Sequence, residues 1–302
     1  TCFGTCNGSA TVVPSGAVGP YTFLWAPPPG AGQSTATATG LCQGPYTVRV
    51  TDQASGCDTL ITVTITGPPA INVQGTVTDA TCSNSCDGTI VLSVSGGSPG
   101  YTFLWSPVPS AGQGTGSVSG LCAGDWTVTV TDVAGCDTTV TFTVEAPPPV
   151  IPIITITDAT CAGLCDGTAS VAVTGGVPPY TYLWSPGPVT GQGTPAVTAL
   201  CAGAYSVTVS DLNGCDTTIT FSIIEPPPLL VTPAHTNVTC GNLCDGTASV
   251  VVTGGTPGYT YLWTPAPPVG QGTANASGLC AGPISVLITD ASGCTITSAF
   301  VI

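Results

Sequence analysis

The chain has 302 residues with 40 Gly, 29 Pro, 16 Cys and no Met, and its single Arg (Arg49) and single His (His235) face 15 acidic side chains, for a formal charge of −14. One cationic side chain cannot neutralise phosphates by releasing counterions, which excludes nucleic acid and anionic membrane surfaces as partners. Charged residues are 5% of the chain, against about 25% in an average soluble domain, so the surface must be built from Thr, Ser, Gly and backbone.

The cysteines fall into four sets: Cys2/Cys6/Cys42/Cys57, Cys82/Cys86/Cys122/Cys136, Cys161/Cys165/Cys201/Cys215 and Cys240/Cys244/Cys280/Cys294. Other landmarks keep step with them. An aromatic block recurs at Tyr21–Trp25, Tyr101–Trp105, Tyr180–Trp184 and Tyr259–Trp263, and a Gly-Gln turn at Gly32, Gly112, Gly191 and Gly270. The chain is thus a tandem array of units of about 79 residues, with expected boundaries 1–66, 67–145, 146–224 and 225–302. The first unit lacks the leading apolar strand that the other three carry.

In chain order, the second unit shows the elements of them all. After Gly67-Pro68-Pro69 comes an apolar strand-like run, then the Cys82/Cys86 loop. Ile90, Leu92 and Val94 then alternate with Val91 and Ser93, and Tyr101, Phe103 and Trp105 with Thr102 and Leu104. Trp126, Val128 and Val130 alternate with threonines, as do Val140, Phe142 and Val144. Period-two patterning with few helix formers predicts strands that bury one face and show Thr on the other. The fold class expected is all-β: four small immunoglobulin-like sandwiches, with Trp25, Trp105, Trp184 and Trp263 as core anchors. The prolines of Ala146–Pro149 and Glu225–Pro228 predict short, semi-rigid joints between units.

An even number of cysteines at regular spacing reads as a disulfide framework in an oxidising, extracellular compartment. No apolar run reaches membrane-spanning length and no basic leader is present, so the sequence reads as a mature segment with no membrane insertion. Four cysteines per unit allow three pairings. Third and fourth bracket a strand that holds them roughly 25 Å apart, too far for a disulfide. The pairing favoured is first with fourth and second with third: Cys2–Cys57, Cys82–Cys136, Cys161–Cys215 and Cys240–Cys294, then Cys6–Cys42, Cys86–Cys122, Cys165–Cys201 and Cys244–Cys280. Each bridge then stabilises by roughly 4 kcal/mol in the chain-entropy model. One difficulty attends it: the first and second cysteines are four residues apart, yet must reach opposite ends of one strand.

Pro179–Trp184, Leu200–Val209 (Leu-Cys-Ala-Gly-Ala-Tyr-Ser-Val-Thr-Val) and Asp211–Cys215 together resemble the SprB-type repeats of large surface adhesins in gliding bacteria, and the resemblance covers all four units. It implies a secreted, surface-displayed array used in adhesion or fibre building, and also implies the first-to-fourth bridge. Pro14, where Val94 stands in the second unit, and Ile284, where the others have Tyr46, Trp126 and Tyr205, depart from the pattern.

Catalysis needs a base, a nucleophile and a pocket, and three of the four units have no His at all. His235 sits alone in a linker; no enzyme and no cofactor are expected. Asp79, Asp87, Asp132 and Asp137 recur through the array, but without a calcium-loop spacing they read as turn-capping residues, and no metal is assigned. Asp58-Thr59-Leu60, Asp137-Thr138-Thr139 and Asp216-Thr217-Thr218 resemble a bacterial O-glycosylation sequon, making Thr59, Thr138 and Thr217 candidate sugar carriers. If the aromatic-block strand points Tyr, Phe/Tyr and Trp inward, Leu24, Leu104, Leu183 and Leu262 point outward as a lateral contact row. The partners expected are further copies of the same array. The function expected is a non-enzymatic extracellular repeat rod of a cell-surface adhesin or filament; the alternative is a carbohydrate-binding module for surface polysaccharide.

Overall fold

In the computed structural model, the described residues are all but Thr1, Ala17, Pro188 and Val189. They form strands throughout, with no helix among them. The chain divides into two compact units, Thr1–Pro147 and Pro148–Ile302, each holding two of the sequence repeats.

The second repeat gives the plan. Its strands are β6 (Asn72–Thr78), β7 (Gly88–Ser95), β8 (Thr102–Ser106), β9 (Ser117–Leu121), β10 (Gly124–Thr131) and β11 (Asp137–Val144), following β1 (Gly8–Thr11), β2 (Tyr21–Ala26), β3 (Thr37–Leu41), β4 (Gly44–Asp52) and β5 (Asp58–Ile65) of the first. One antiparallel sheet has the order β6-β7-β9 and the other β8-β10-β11. Ile90, Val118 and Leu121 from the first sheet meet Trp105, Val128 and Val130 from the second in one core. This is an immunoglobulin-like sandwich, small because each sheet has three strands.

The third repeat repeats it with β12 (Ile151–Thr157), β13 (Gly167–Thr174), β14 (Thr181–Ser185), β15 (Ala196–Leu200), β16 (Gly203–Ser210) and β17 (Asp216–Ile223). The fourth does so with β18 (Leu230–Thr236), β19 (Gly246–Thr253), β20 (Thr260–Thr264), β21 (Asn275–Leu279), β22 (Pro283–Thr289) and β23 (Thr295–Val301). In the first repeat, among the described residues, β1 pairs with β3. There β1 stops at Thr11, while β7 runs on to Ser95, the counterpart of Ser15. β7 owes its longer run to β6, which it pairs over Thr89–Ser95, since it meets β9 only over Gly88–Val91, the counterpart of Gly8–Thr11.

The alternation legible in the sequence has its cause in the register. In β10, Trp126, Val128 and Val130 are buried, while Thr127 and Thr129 face outward and pair their hydroxyls with Thr141 and Thr139 of β11 at 2.9 and 3.1 Å. The four tryptophans of the aromatic block are all at most 2% exposed. Each indole N–H donates to a backbone carbonyl ten residues on, at 3.0 Å for Trp105 to Thr115, which satisfies the one polar group that the ring brings into the core. The Gly-Gln turn belongs to the same arrangement: Gln113 accepts from the Trp105 N–H at 3.2 Å and donates to its carbonyl at 3.3 Å. Gly112 has φ +91°, and a Cβ there would lie 2.1 Å from the Ser117 carbonyl oxygen, so only glycine fits.

Ile284 stands where the other repeats have an aromatic ring. Trp126 and Tyr205 reach back to the carbonyls of Cys122 and Cys201, at 3.0 and 3.1 Å, and Tyr205 stacks on Phe221 with centroids 5.7 Å apart. In the fourth repeat Phe300 keeps a contact with Trp263, centroids 5.6 Å apart, like that of Phe221 with Trp184 at 5.9 Å, and Ile284 is buried in the core.

Candidate functional site: the junction between repeats

Two loops of each repeat carry its first and fourth cysteines. The first cysteine sits in a Cys-x3-Cys loop between the leading strand and β7 or its counterpart. That loop is fixed by an aspartate: Asp87 accepts from the Thr81 N–H at 2.9 Å and from the hydroxyls of Thr81 and Ser85 at 2.5 and 2.7 Å. The Thr81 hydroxyl, first among these donors, holds the Asp87 carboxyl at about 2, below its ordinary 3.8. Thr160 and Thr239 lower Asp166 and Asp245 in the same way. Asp79 and Asp158 tie the preceding strand down by accepting from the N–H groups of Glu145 and Ile224, at 2.9 and 3.0 Å.

The fourth cysteine ends an Asp-x-x-Gly-Cys hairpin turn between β10 and β11 or their counterparts. Asp132 is buried and collects the N–H groups of Ser98, Ala134 and Cys136, at 2.8, 2.9 and 2.9 Å. Its carboxyl is held below the usual range, chiefly by the Ser98 N–H. Asp290 does the same with Thr256, Ser292 and Cys294, and Asp211 with Val177, Asn213 and Cys215. Their oxygens face backbone donors, and no cluster of three metal-ligating side chains occurs among the described residues. These aspartates build turns, and the turn geometry aims the cysteine that follows.

The disulfides differ from the expectation at each first and fourth cysteine. Cys2 bonds to Cys136 of the second repeat, with Cα atoms 5.4 Å apart, and Cys161 bonds to Cys294 of the fourth, at 5.7 Å. The expected Cys2–Cys57, Cys82–Cys136, Cys161–Cys215 and Cys240–Cys294 bonds therefore do not form: Cys136, Cys161 and Cys294 are taken by other partners, while Cys57 and Cys240 are unbonded and exposed. Cys82 and Cys215 are each disulfide-bonded too. The second and third cysteines bond inside each repeat, as Cys6–Cys42, Cys86–Cys122, Cys165–Cys201 and Cys244–Cys280. The reason is reach. Within one repeat the first cysteine lies at one end of the sandwich and the fourth at the other, separated by a strand of about 25 Å. The next repeat brings its own hairpin turn up to that same end.

The linker completes each junction. The Gly176 and Gly255 N–H groups donate to the carbonyls of Pro148 and Pro227, at 2.9 and 2.7 Å, and the apolar residue that follows drops into the sandwich beside the aspartate turn. Val150 is 5% exposed and belongs to the third repeat's core, with its carbonyl accepting from the Thr217 hydroxyl at 2.8 Å. Leu229 and Ile71 occupy the same place beside Gly255 and Gly97. Glu225, just before the prolines, accepts from the Gly163 N–H of the first-cysteine loop at 2.7 Å. None of these contacts announces itself in the sequence except through the spacing of the prolines.

The other candidate residues spread over the surface. Leu24, Leu104, Leu183 and Leu262 are 54%, 65%, 62% and 54% exposed, on the outer face of the sheet that holds the tryptophans. Thr59 is exposed, whereas Thr138 and Thr217 are half-buried and face inward in register with Val130 and Val209. His235 lies in β18, paired with Ala248, rather than in a linker, and its ring stands 6.1 Å from that of Phe300.

The SprB repeat model matches the sequence four times, at residues 1–30, 74–110, 153–189 and 232–267. The chain carries four SprB repeats. Each match runs through the first-cysteine loop and the aromatic block, the segments that position the junction loop and the core tryptophan. No curated protein matches the sequence. Solved structures similar to this SprB-repeat chain include the N-terminal eight Ig domains of Down Syndrome Cell Adhesion Molecule isoform 1.30.30, at 10% identity and a TM-score of 0.36, covering 100% of this chain and 59% of that one. The extracellular domain of protocadherin GammaB4 is similar at 10% identity and a TM-score of 0.29, covering 98% of this chain and 63% of that one. The insect immune protein hemolin is similar at 11% identity and a TM-score of 0.27, covering 100% and 96%. The chain thus spans less than two thirds of the first two. SprB repeats joined by disulfides describe an extracellular, adhesin-like repeat protein.

Proposed function

We propose that this chain is a non-enzymatic, load-bearing segment of a bacterial cell-surface adhesin or filament. It acts through length, stiffness and repeated side surfaces and associates with further copies of the same array. The observation that carries this reading is the bond between successive repeats: Cys2–Cys136 and Cys161–Cys294 each clamp a joint that prolines already restrict. A bridge spanning 134 residues removes about 5 kcal/mol of chain entropy from the unfolded state. More to the point, it denies two neighbouring sandwiches the independent motion that tandem domains ordinarily have. The exposed Leu24, Leu104, Leu183 and Leu262 supply an apolar feature that recurs along the array, as a surface for lateral contact would.

Polysaccharide recognition is less well supported. Sugar-binding surfaces offer flat aromatic rings to solvent, and all five tryptophans here are buried.

The distance between dyes at the two ends of the second unit, Pro148–Ile302, tests the reading. The oxidised protein is expected to give one narrow distribution, and the reduced protein a broad one, with no change in melting temperature across a panel of bacterial polysaccharides. A distribution that is equally broad with and without reductant, or a polysaccharide-dependent rise in melting temperature, overturns it.

A further inference from the structure

The two bonds that leave one Cys-x3-Cys loop differ in how open they are. Cys165 and Cys201, which close the third repeat, are exposed, while Cys161 and Cys294, which close the joint, are half-buried. The first unit keeps the same order: Cys6 is exposed, whereas Cys136, bonded to Cys2, is 8% exposed. Attack by a dissolved thiol depends on access to the sulfur, so it falls first on the bond inside the repeat.

The loop keeps its two sulfurs near each other. The Leu164 N–H donates to the Cys161 carbonyl at 3.0 Å, and Gly163, at φ +73°, turns the chain back between the two cysteines. A turn closed in this way holds its first and fourth Cα atoms within about 7 Å. Cys165 is the next residue, so a small shift of the loop brings the pair within disulfide reach. A cavity of about 470 Å³ borders the joint bond, lined by Cys161, Leu164, Pro227, Leu229, Cys294 and Ile296, and gives the sulfurs room to move on the loop side.

We infer that this loop is a sulfur-exchange latch: a thiol that opens Cys165–Cys201 thereby releases Cys161–Cys294 and frees the joint. The thiolate of a small monothiol such as glutathione attacks the Cys201 sulfur, forms a mixed disulfide there and expels the Cys165 thiolate. Cys165 then attacks the Cys161 sulfur, forms Cys161–Cys165 and expels the Cys294 thiolate, which takes up the proton that the glutathione thiol gave up. Two disulfides exist before and after, so one thiol is consumed and no oxidant is needed. With a tether of four residues between Cys161 and Cys165, the internal thiolate acts at an effective concentration on the order of millimolar or above and outruns a second thiol from dilute solution. The third and fourth sandwiches regain motion about their linker, which favours the exchanged state. The inference rests on the proposed clamping role of the joint bond, but linked peptides report the exchange and dye distances report the clamp, so the two fail separately.

The test compares two full-chain variants that both lack the exposed bond: Cys201→Ser, which keeps the attacking thiol, and Cys165→Ser/Cys201→Ser, which does not. Each is held at neutral pH without reductant, quenched in acid, alkylated and mapped by mass spectrometry of linked peptides. Cys201→Ser is expected to yield a Cys161–Cys165 peptide and at least tenfold more alkylated Cys294 than the double variant, in which Cys161–Cys294 persists. In the wild type, one equivalent of glutathione should be found on Cys201, together with the Cys161–Cys165 peptide. The inference is overturned if Cys294 is alkylated equally in the two variants, if Cys201→Ser keeps Cys161–Cys294 beside a free Cys165, or if glutathione reaches Cys161 or Cys294 ahead of Cys201.

Discussion

Cys161 and Cys165 lie four residues apart in one loop and bond in different directions, the first to Cys294 in the following repeat and the second to Cys201 in its own. The loop is a branch point: one sulfur closes the sandwich and the other closes the joint. Removing one should leave the other's task intact.

Replacing both Cys161 and Cys294 by Ser is expected to loosen the joint while the sandwiches remain folded. The Gly255 N–H, bonded to Pro227 across the linker, should exchange with solvent at least tenfold faster, while amides in β22 keep their protection. If the β22 amides lose protection to the same extent, the bridge serves the fold of the repeat and not its joint.

The Gly-Gln turn offers a contrast between two glycines. Gly112→Ala forces a Cβ to within 2.1 Å of the Ser117 carbonyl oxygen, whereas Gly114, also at positive φ, has no heavy atom within 4 Å of where its Cβ would be. Gly114→Ala should cost about 1 kcal/mol, the usual penalty of a left-handed conformation. Gly112→Ala should cost at least about 2 kcal/mol more, since backbone must move. Denaturant midpoints of the two variants decide it, and equal midpoints would falsify the steric account.

Acid should destabilise the chain in a defined window. Asp87 has its folded value lowered to about 2 from 3.8, and Asp132, Asp166, Asp211, Asp245 and Asp290 are lowered in the same direction. A carboxyl lowered by folding stabilises fully above its unfolded value and loses that contribution as pH falls through its folded one. The melting temperature is expected to be flat above about pH 5 and to fall as pH passes from about 4 to about 2. Asp87→Asn should flatten part of that fall. A melting temperature that stays constant down to pH 2 contradicts the assignment.

Glycan attachment, proposed for Thr59, Thr138 and Thr217, should be uneven. The Thr217 hydroxyl is committed to the Val150 carbonyl, and a sugar there would have to displace the linker from its seat, whereas Thr59 is exposed. Intact mass and peptide mapping of native material should find a hexose-containing modification on Thr59 in preference to Thr217. Equal occupancy at both sites would mean that the sugar is added before the linker docks.

Much of this architecture could be read from residues alone. Alternating Trp126, Val128 and Val130 against threonines announced both strand and buried face, because period two has one meaning in a half-buried sheet. Pairing across the junction was hidden, because cysteine spacing constrains only partners within one sandwich, while Cys136 and Cys294 meet theirs through the way two sandwiches abut. The clue lay in the difficulty itself: Cys161 and Cys165 cannot both serve opposite ends of a strand about 25 Å long from one short loop. Glu225, holding the Gly163 N–H, left no pattern at all, since a single acidic residue before prolines looks like any other.

The bond between Cys161 and Cys294 also sets the route that tension takes. Pulled from its ends, the second unit passes force along the chain to Cys161, across one sulfur–sulfur bond to Cys294, and out toward Ile302. Trp184 and Trp263, with the strands from β13 to β22, lie on a slack branch of that circuit, while β12 and β23 lie outside the bridge and carry load. Tension that would stretch an ordinary pair of domains from end to end reaches only their two outer strands, and the chain between the bridged cysteines is spared it.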